Sequence, residues 1–280
     1  MDVVYTIEDL RKRLARETSI ALVPTMGNLH AGHVSLVEMA KKRAACVVAT
    51  IFVNRLQFAP GGDFDRYPRT LADDRWRLDK AGCDVVFAPD EHEMYPDPQE
   101  VHVTPPEIAR ELEGVFRPGH FQGVCTVVAK IFNLVRPDVA VFGKKDFQQL
   151  AVIRAMERQL AFGIEIVGCE TVRDPDGLAM SSRNGYLTKA ERAMAGQLNA
   201  ELRRIKEAVE AGSRRFDRHC AMARADLETA GWEVNYVEVR NRAALAVPAP
   251  NDRELVVLAA AWLGKTRLID NVEIVVPDGR

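Results

Sequence analysis

Paired cysteines, unbalanced charge and long apolar runs are all missing from this chain, and each absence removes a class of protein. The five cysteines, Cys46, Cys83, Cys125, Cys169 and Cys220, are odd in number and widely spread, with no pair at zinc-site spacing. A disulfide framework and a cysteine-based metal site are both disfavoured. A net charge of −2 offers no basic excess of the kind that binds nucleic acid or an anionic membrane. The longest apolar run, residues 255–263 (LVVLAAAWL), falls far short of the roughly 20 residues that span a bilayer. The acidic first ten residues have neither the basic stretch nor the apolar core of a signal peptide. The expectation is a cytoplasmic, reduced protein with no metal held by its own ligands, no nucleic-acid partner and no membrane span.

The 280 residues suit one large domain and a smaller one. Short apolar, β-branched runs recur at residues 19–24 (SIALVP), 46–53 (CVVATIFV), 84–88 (DVVFA), 139–142 (VAVF) and 164–168 (IEIVG). A helical pattern follows the first of them from about His33, and Leu150, Ile153, Met156 and Leu160 mark one face of another helix. Continuous apolar strands alternating with helices predict a Rossmann-like parallel sheet with helices on both faces. Past about residue 176 the order changes. One long helix is expected over 188–212, followed by strands near 234–239, 254–260 and 266–276, a smaller α+β domain. The boundary falls between residues 1–175 and 176–280.

In a parallel sheet, ligands bind beyond the carboxyl ends of the strands, so the segments that follow them carry the chemistry. After the first comes PTMGNLHAGH, residues 24–33. Its glycines permit close backbone approach, the helix start offers N–H groups to phosphate, and His30 and His33 share one face. After the second comes FVNRLQF, with Asn54 and Gln57 supplying amides that both donate and accept. After the fourth comes GKKDFQQ, where a lysine can neutralise phosphate and Gln149 can orient a polar substrate. At the domain change, DGLAMSSRN groups two hydroxyls and an arginine. Each segment alone also reads as a solvated loop or turn. A His-rich segment with a Met-Ser-Lys-Ser-like loop is the two-part pattern of nucleotidyl-transferring Rossmann-like enzymes. The stretch 61–70 (GGDFDRYPRT) reads as a lid or a plain connection.

Taken in order, PTMGNLHAGH, FVNRLQF, YPRT, RPGHFQGV, FGKKDFQQL and DGLAMSSRN resemble the pantothenate synthetase family, most strongly over residues 22–184. The resemblance implies an ATP-dependent, AMP-forming carbon–nitrogen ligase that condenses pantoate with β-alanine through a pantoyl adenylate and releases pyrophosphate. It implies Mg2+ arriving with ATP, and a homodimer. It assigns Met26, Gly27, Asn28, Leu29, His30, Ala31, Gly32 and His33 to the ATP site, together with Gly143, Lys144, Lys145 and Asp146. It places Val172 at the adenine or ribose and Met180, Ser181, Ser182 and Arg183 at the phosphates. His33, His30 and Lys145 are implied to be catalytic, and Gln57, Gln149 and Asn54 to hold the substrate. Four positions depart from the family's habit. Arg55 stands for a usual proline, Ala59 for glycine and Lys144 for an acidic residue, and Gln122 occupies a variable place.

Rival readings share parts of this pattern. A nucleotidyltransferase acting on a phosphate-bearing acceptor would keep the ATP elements without the paired glutamines. An aminoacyl-tRNA synthetase would add a tRNA-binding surface. A nucleotide sensor that no longer catalyses would not need His30, His33, Gln57, Lys145 and Gln149. An NAD dehydrogenase would show Gly-x-Gly-x-x-Gly after the first strand, and that motif is lacking.

Overall fold

The computed structural model describes residues 1–59, 61 and 64–277. The chain divides into two compact units: residues 1–144 with 152–170, and residues 145–151 with 171–280.

The first unit is built on six parallel strands: β1 (Asp2–Val4), β2 (Ile20–Thr25), β3 (Cys46–Ile51), β4 (Val85–Phe87), β5 (Val139–Gly143) and β6 (Glu165–Cys169), in the spatial order β1-β4-β3-β2-β5-β6. Five answer to the apolar runs. The sixth, β1, has only three residues and begins on an aspartate, too short to register as a run. Alternate residues explain why the runs are continuous. Ala21, Val23, Val47 and Ala49 pack on one face against Leu36, Val37 and Leu78, while Leu22 and Val48 between them are equally buried. A strand buried on both faces must be apolar throughout. Among the described residues no helix is long and apolar enough to cross a membrane.

The chain runs outward from β2 to β3 and β4, then returns to β5 on the other side of β2. That reversal makes the β2/β5 gap the topological switch point. The gap opens early, since β2 pairs with β5 only at Ala21 and Leu22 but with β3 along its whole length. Pro24 helps to keep it open. The carbonyls of Ser19 and Thr25 accept from the β3 side and that of Ile20 from the β5 side, so the alternation aims Pro24 at β5. Proline has no N–H to give there.

The second unit pairs β7 (Glu233–Asn241), β8 (Glu254–Leu263) and β9 (Thr266–Val275) as an antiparallel sheet, β8 in the centre. Leu198, Leu202, Ile205 and Val209 of the helix Gln197–Glu210, with Ala223 and Leu227 of the helix Phe216–Thr229, cover Leu255, Val257, Ala259 and Ala261 on one face. Each fully buried leucine there contributes about 1.5–3 kcal/mol.

The single helix expected over 188–212 is two helices, Lys189–Met194 and Gln197–Glu210. The first opens on a capping box between Thr188 and Glu191. The break falls at Gly196, where an added Cβ would lie 2.6 Å from the Asp176 carbonyl oxygen. The passing chain leaves no room for a side chain at that point. Leu160, expected on a buried helical face, ends its helix 51% exposed, although Leu150, Ile153 and Met156 are buried.

Candidate active site

The segment after β2 is held from three directions. Thr25 donates to the Thr50 carbonyl at 2.7 Å and accepts from the Gly27 N–H at 3.2 Å, which ties the ends of β2 and β3 together. The chain then turns through Gly27 at φ +82° and Asn28 at φ +51°, the left-handed region that glycine and asparagine tolerate best. Asp74 secures the turn. It is 1% exposed, and its carboxylate accepts from the N–H groups of Asn28 (3.0 Å) and Leu29 (2.7 Å) and from the Thr70 hydroxyl (3.1 Å). Nothing in the sequence pattern marked Asp74, whose partners Asn28 and Leu29 lie far back along the chain.

The turn delivers His30 as the N-cap of the helix Ala31–Ala40, whose start carries the positive end of the helix dipole. The two histidines form a reciprocal cap. His30 Nδ1 accepts from the Gly32 N–H and His33 Nδ1 from the His30 N–H, each at 3.2 Å, with the rings 4.1 Å apart. A ring nitrogen that accepts cannot carry the proton of the neutral ring. Both imidazoles therefore place their N–H at Nε2, two donors rising from a helix start at the end of β2.

The amide cluster after β3 is equally built. Asn54, 1% exposed, donates through Nδ2 to Gln57 Oε1 (3.2 Å) and to the Gly123 carbonyl (3.1 Å), and accepts from the Tyr95 hydroxyl (2.8 Å). Burial holds that phenol well above its usual pKa, so it stays protonated and keeps donating. With Oε1 taken, Gln57 points its NH2 at the Met26 thioether, 3.0 Å away. Asn54 thus acts through Gln57 and fixes which way its amide faces. His120 grips the same turn from below, its Nδ1 donating to the Gln57 carbonyl at 3.0 Å.

The motif RPGHFQGV gains a purpose here. In the helix His120–Val135 a Cβ on Gly123 would lie 2.2 Å from the Leu56 carbonyl oxygen and 2.6 Å from the Gln57 N. Only glycine allows the helix and the Gln57 turn to meet. Gly123→Ala is expected to displace that turn. Stability should fall by about 1–3 kcal/mol despite alanine's better helix propensity. Urea unfolding checks it; an unchanged stability would show that the helix and the turn make room for the methyl group.

Two departures are absorbed by neighbours. Arg55 pairs with Glu91 at 2.9 Å and lies 3.9 Å over the Phe64 ring, which steadies the 3-10 turn Arg55–Gln57 without a proline. Lys144 is ion-paired with Glu170. Ala59 and Gln122 are exposed. In the loop 61–70, Phe64 and Tyr67 are buried with their rings edge-on to Phe58. Gly62 and Asp63 lie outside the described residues.

Gly143 and Lys144 belong to the first unit, Lys145 and Asp146 to the second, as does Gln149 in the first turn of the helix Phe147–Leu160. In the second unit Val172 accepts from the Met180 N–H at 3.0 Å across a tight turn through Gly177, φ +90°. Arg192 clamps Asp174 and Asp176 on that turn. Ser181 caps the 3-10 turn Ser182–Tyr186, and Asn184 donates to the Ala179 carbonyl at 3.0 Å. Met180, Ser181, Ser182 and Arg183 therefore sit on a braced arm.

Among the described residues no three His, Cys, Asp or Glu side chains gather into a metal site. Burial raises the thiols of Cys46 and Cys220 to about 11 and of Cys83 and Cys125 to about 12. Protonated, with Cys46, Cys83 and Cys125 buried and Cys220 half-buried, these four offer no nucleophile.

A Rossmann-like sheet, ending at its switch point in a histidine-capped helix and beside it an anchored pair of amides, defines the α/β nucleotide-binding class. Comparison narrows the class. The family model described as Pantoate-beta-alanine ligase matches residues 2–273. Pantothenate synthetase of Thiobacillus denitrificans is 59% identical over 275 residues, covering 98% of this chain and 97% of that one, and that of Nitrosomonas europaea is 52% identical over 99% and 100%. The crystal structure of pantothenate synthetase from Thermus thermophilus superposes with a TM-score of 0.94 at 42% identity, covering 99% of this chain and 100% of that one. Pantoate-beta-alanine ligase from Francisella tularensis, solved as a complex with beta-gamma ATP and beta-alanine, gives 0.82 at 32% identity, covering 97% of each chain. The chain belongs to the pantoate–β-alanine ligase family.

Proposed function

We propose that this chain joins pantoate to β-alanine in two steps, each with a defined leaving group. The pantoate carboxylate attacks the α-phosphorus of ATP and pyrophosphate departs. The amine of β-alanine then attacks the resulting acyl adenylate, and pantothenate forms as AMP leaves. An oxide is too poor a leaving group for direct amide formation, and AMP is a good one.

The observation that carries this reading is the reciprocal histidine cap. It supplies two Nε2–H donors at the switch point of the sheet, suited to charge that grows on a transferring phosphoryl group. We assign His30, His33 and Lys145 to that charge and Ser181, Ser182 and Arg183 to the phosphates beyond it. Met26 to His33, with Gly143, Lys144 and Asp146, bind the nucleotide, and Val172 meets adenine or ribose. Gln57 and Gln149 hold pantoate, Asn54 acting through Gln57. Holding a nucleophile in line can supply up to roughly 7–11 kcal/mol. Mg2+ fits as an ion carried by ATP with few protein ligands, where it shields the phosphate charge. Residues 1–175 act as the ATP- and pantoate-binding domain, 176–280 as the smaller domain bearing the phosphate arm. The protein works in the cytoplasm as a homodimer.

Pantoate labelled with 18O in its carboxylate tests the intermediate. Transfer through an adenylate leaves one labelled oxygen on the AMP phosphate, read by mass spectrometry. Pantothenate formed with unlabelled AMP would contradict it.

A further inference from the structure

In the second unit, Asp270 of β9 is 4% exposed and its carboxylate is fully engaged. It accepts from Arg173 at 2.7 and 2.9 Å, from Asn199 Nδ2 at 2.9 Å and from the Asn271 N–H at 2.7 Å. Arg173 also donates to the carbonyls of Gly177 (3.0 Å) and Asn271 (3.1 Å). Through Arg173, β9 holds the base of the arm that leads to Met180 and Arg183.

The next residue faces the other way, because successive strand residues point to opposite faces. Leu268 and Ile274 share the Asp270 face and join the helix-covered core. Asn271, 6% exposed, lies on the opposite face and donates through Nδ2 to the Lys145 carbonyl at 2.9 Å. One dipeptide in a rigid sheet thus fixes the phosphate arm with one side chain and the Lys145 peptide with the next.

We infer that Asn271 is a positioning residue for the reaction: it holds the Lys145 peptide so that the ammonium group is carried at a set place relative to the Ser181–Arg183 donors of the same unit. This rests on the phosphate-facing role given to Lys145 above. Lys145 lies in a short 3-10 turn, Lys144–Asp146, and the hydrogen bond from a paired strand constrains its backbone.

A double-mutant cycle on the full-length enzyme tests the inference, with pyrophosphate release from ATP and pantoate as the readout. Asn271→Ala should lower the rate about tenfold, the value of one lost hydrogen bond, with the KM for pantoate and the melting temperature little changed. On a Lys145→Ala background the same substitution should cost less than about twofold, because a positioning residue has no effect once its client is gone. Asn271→Ser, with a donor of shorter reach, should lose less and serves if the alanine variant does not fold. A normal rate in folded Asn271→Ala, or an equal loss with and without Lys145, overturns the inference. A normal rate in Lys145→Ala alone overturns the role of Lys145 itself and the inference with it.

Discussion

Turnover is expected to fall by about 10²-fold or more in His33→Ala, the loss that the proposed role of His33 as a transition-state donor requires. Alanine also removes the acceptor for the His30 N–H, so a lost cap must be separated from lost chemistry. Asparagine separates them. Its Oδ1 can take the place of Nδ1 and accept from His30, but no atom reaches the position of Nε2. His33→Asn should therefore melt close to the unaltered protein while its turnover falls as far as that of alanine. A cap alone is worth about 0.5–2 kcal/mol of stability, and that part should return with asparagine. Stopped-flow or steady-state turnover beside a melting curve makes the comparison. Near-normal turnover in His33→Asn would reduce His33 to a structural cap.

The second large effect is on stability. Asp270→Ala leaves the Arg173 guanidinium, with a side chain 18% exposed, without its bidentate partner. Breaking a buried pair on one side costs about 3–5 kcal/mol, because the surviving charge stays desolvated. Asn199 Nδ2 loses its acceptor too. Asp270→Asn keeps the shape and one acceptor oxygen and should lose less. Urea unfolding measures both. A loss below about 1 kcal/mol in Asp270→Ala, typical of a solvated surface pair, would show that water replaces the carboxylate and that the network is not a structural hub.

The sheet was legible because a strand buried on both faces must be apolar at every position, and such runs stand out from their surroundings. β1 escaped because three residues beginning on Asp2 make no run. The misread helix over 188–212 contained its own correction: Thr188 and Glu191 at capping-box spacing, then Gly196 where the pattern breaks. The apolar period of the second helix masked both. The placement of the histidine segment was legible, since it follows the apolar run of β2 and opens the helix Ala31–Ala40. The supports were not legible. Asp74 reaches Asn28 and Leu29, Gly123 meets Leu56, and Asn271 meets Lys145 across 126 positions. Those roles arise only once distant segments pack, and the residue types carry no periodic signal. RPGHFQGV shows the intermediate case, a motif recognisable in the sequence whose glycine is explained only by the backbone that crosses it.

The reaction to be tested is the ATP-dependent condensation of pantoate with β-alanine. AMP formation measures it most directly, with ATP and magnesium present and pantoate and β-alanine added separately and together. Sustained AMP release is expected only with both, with pantothenate in equal amount. Sustained AMP release without β-alanine, or none with both substrates present, would contradict it.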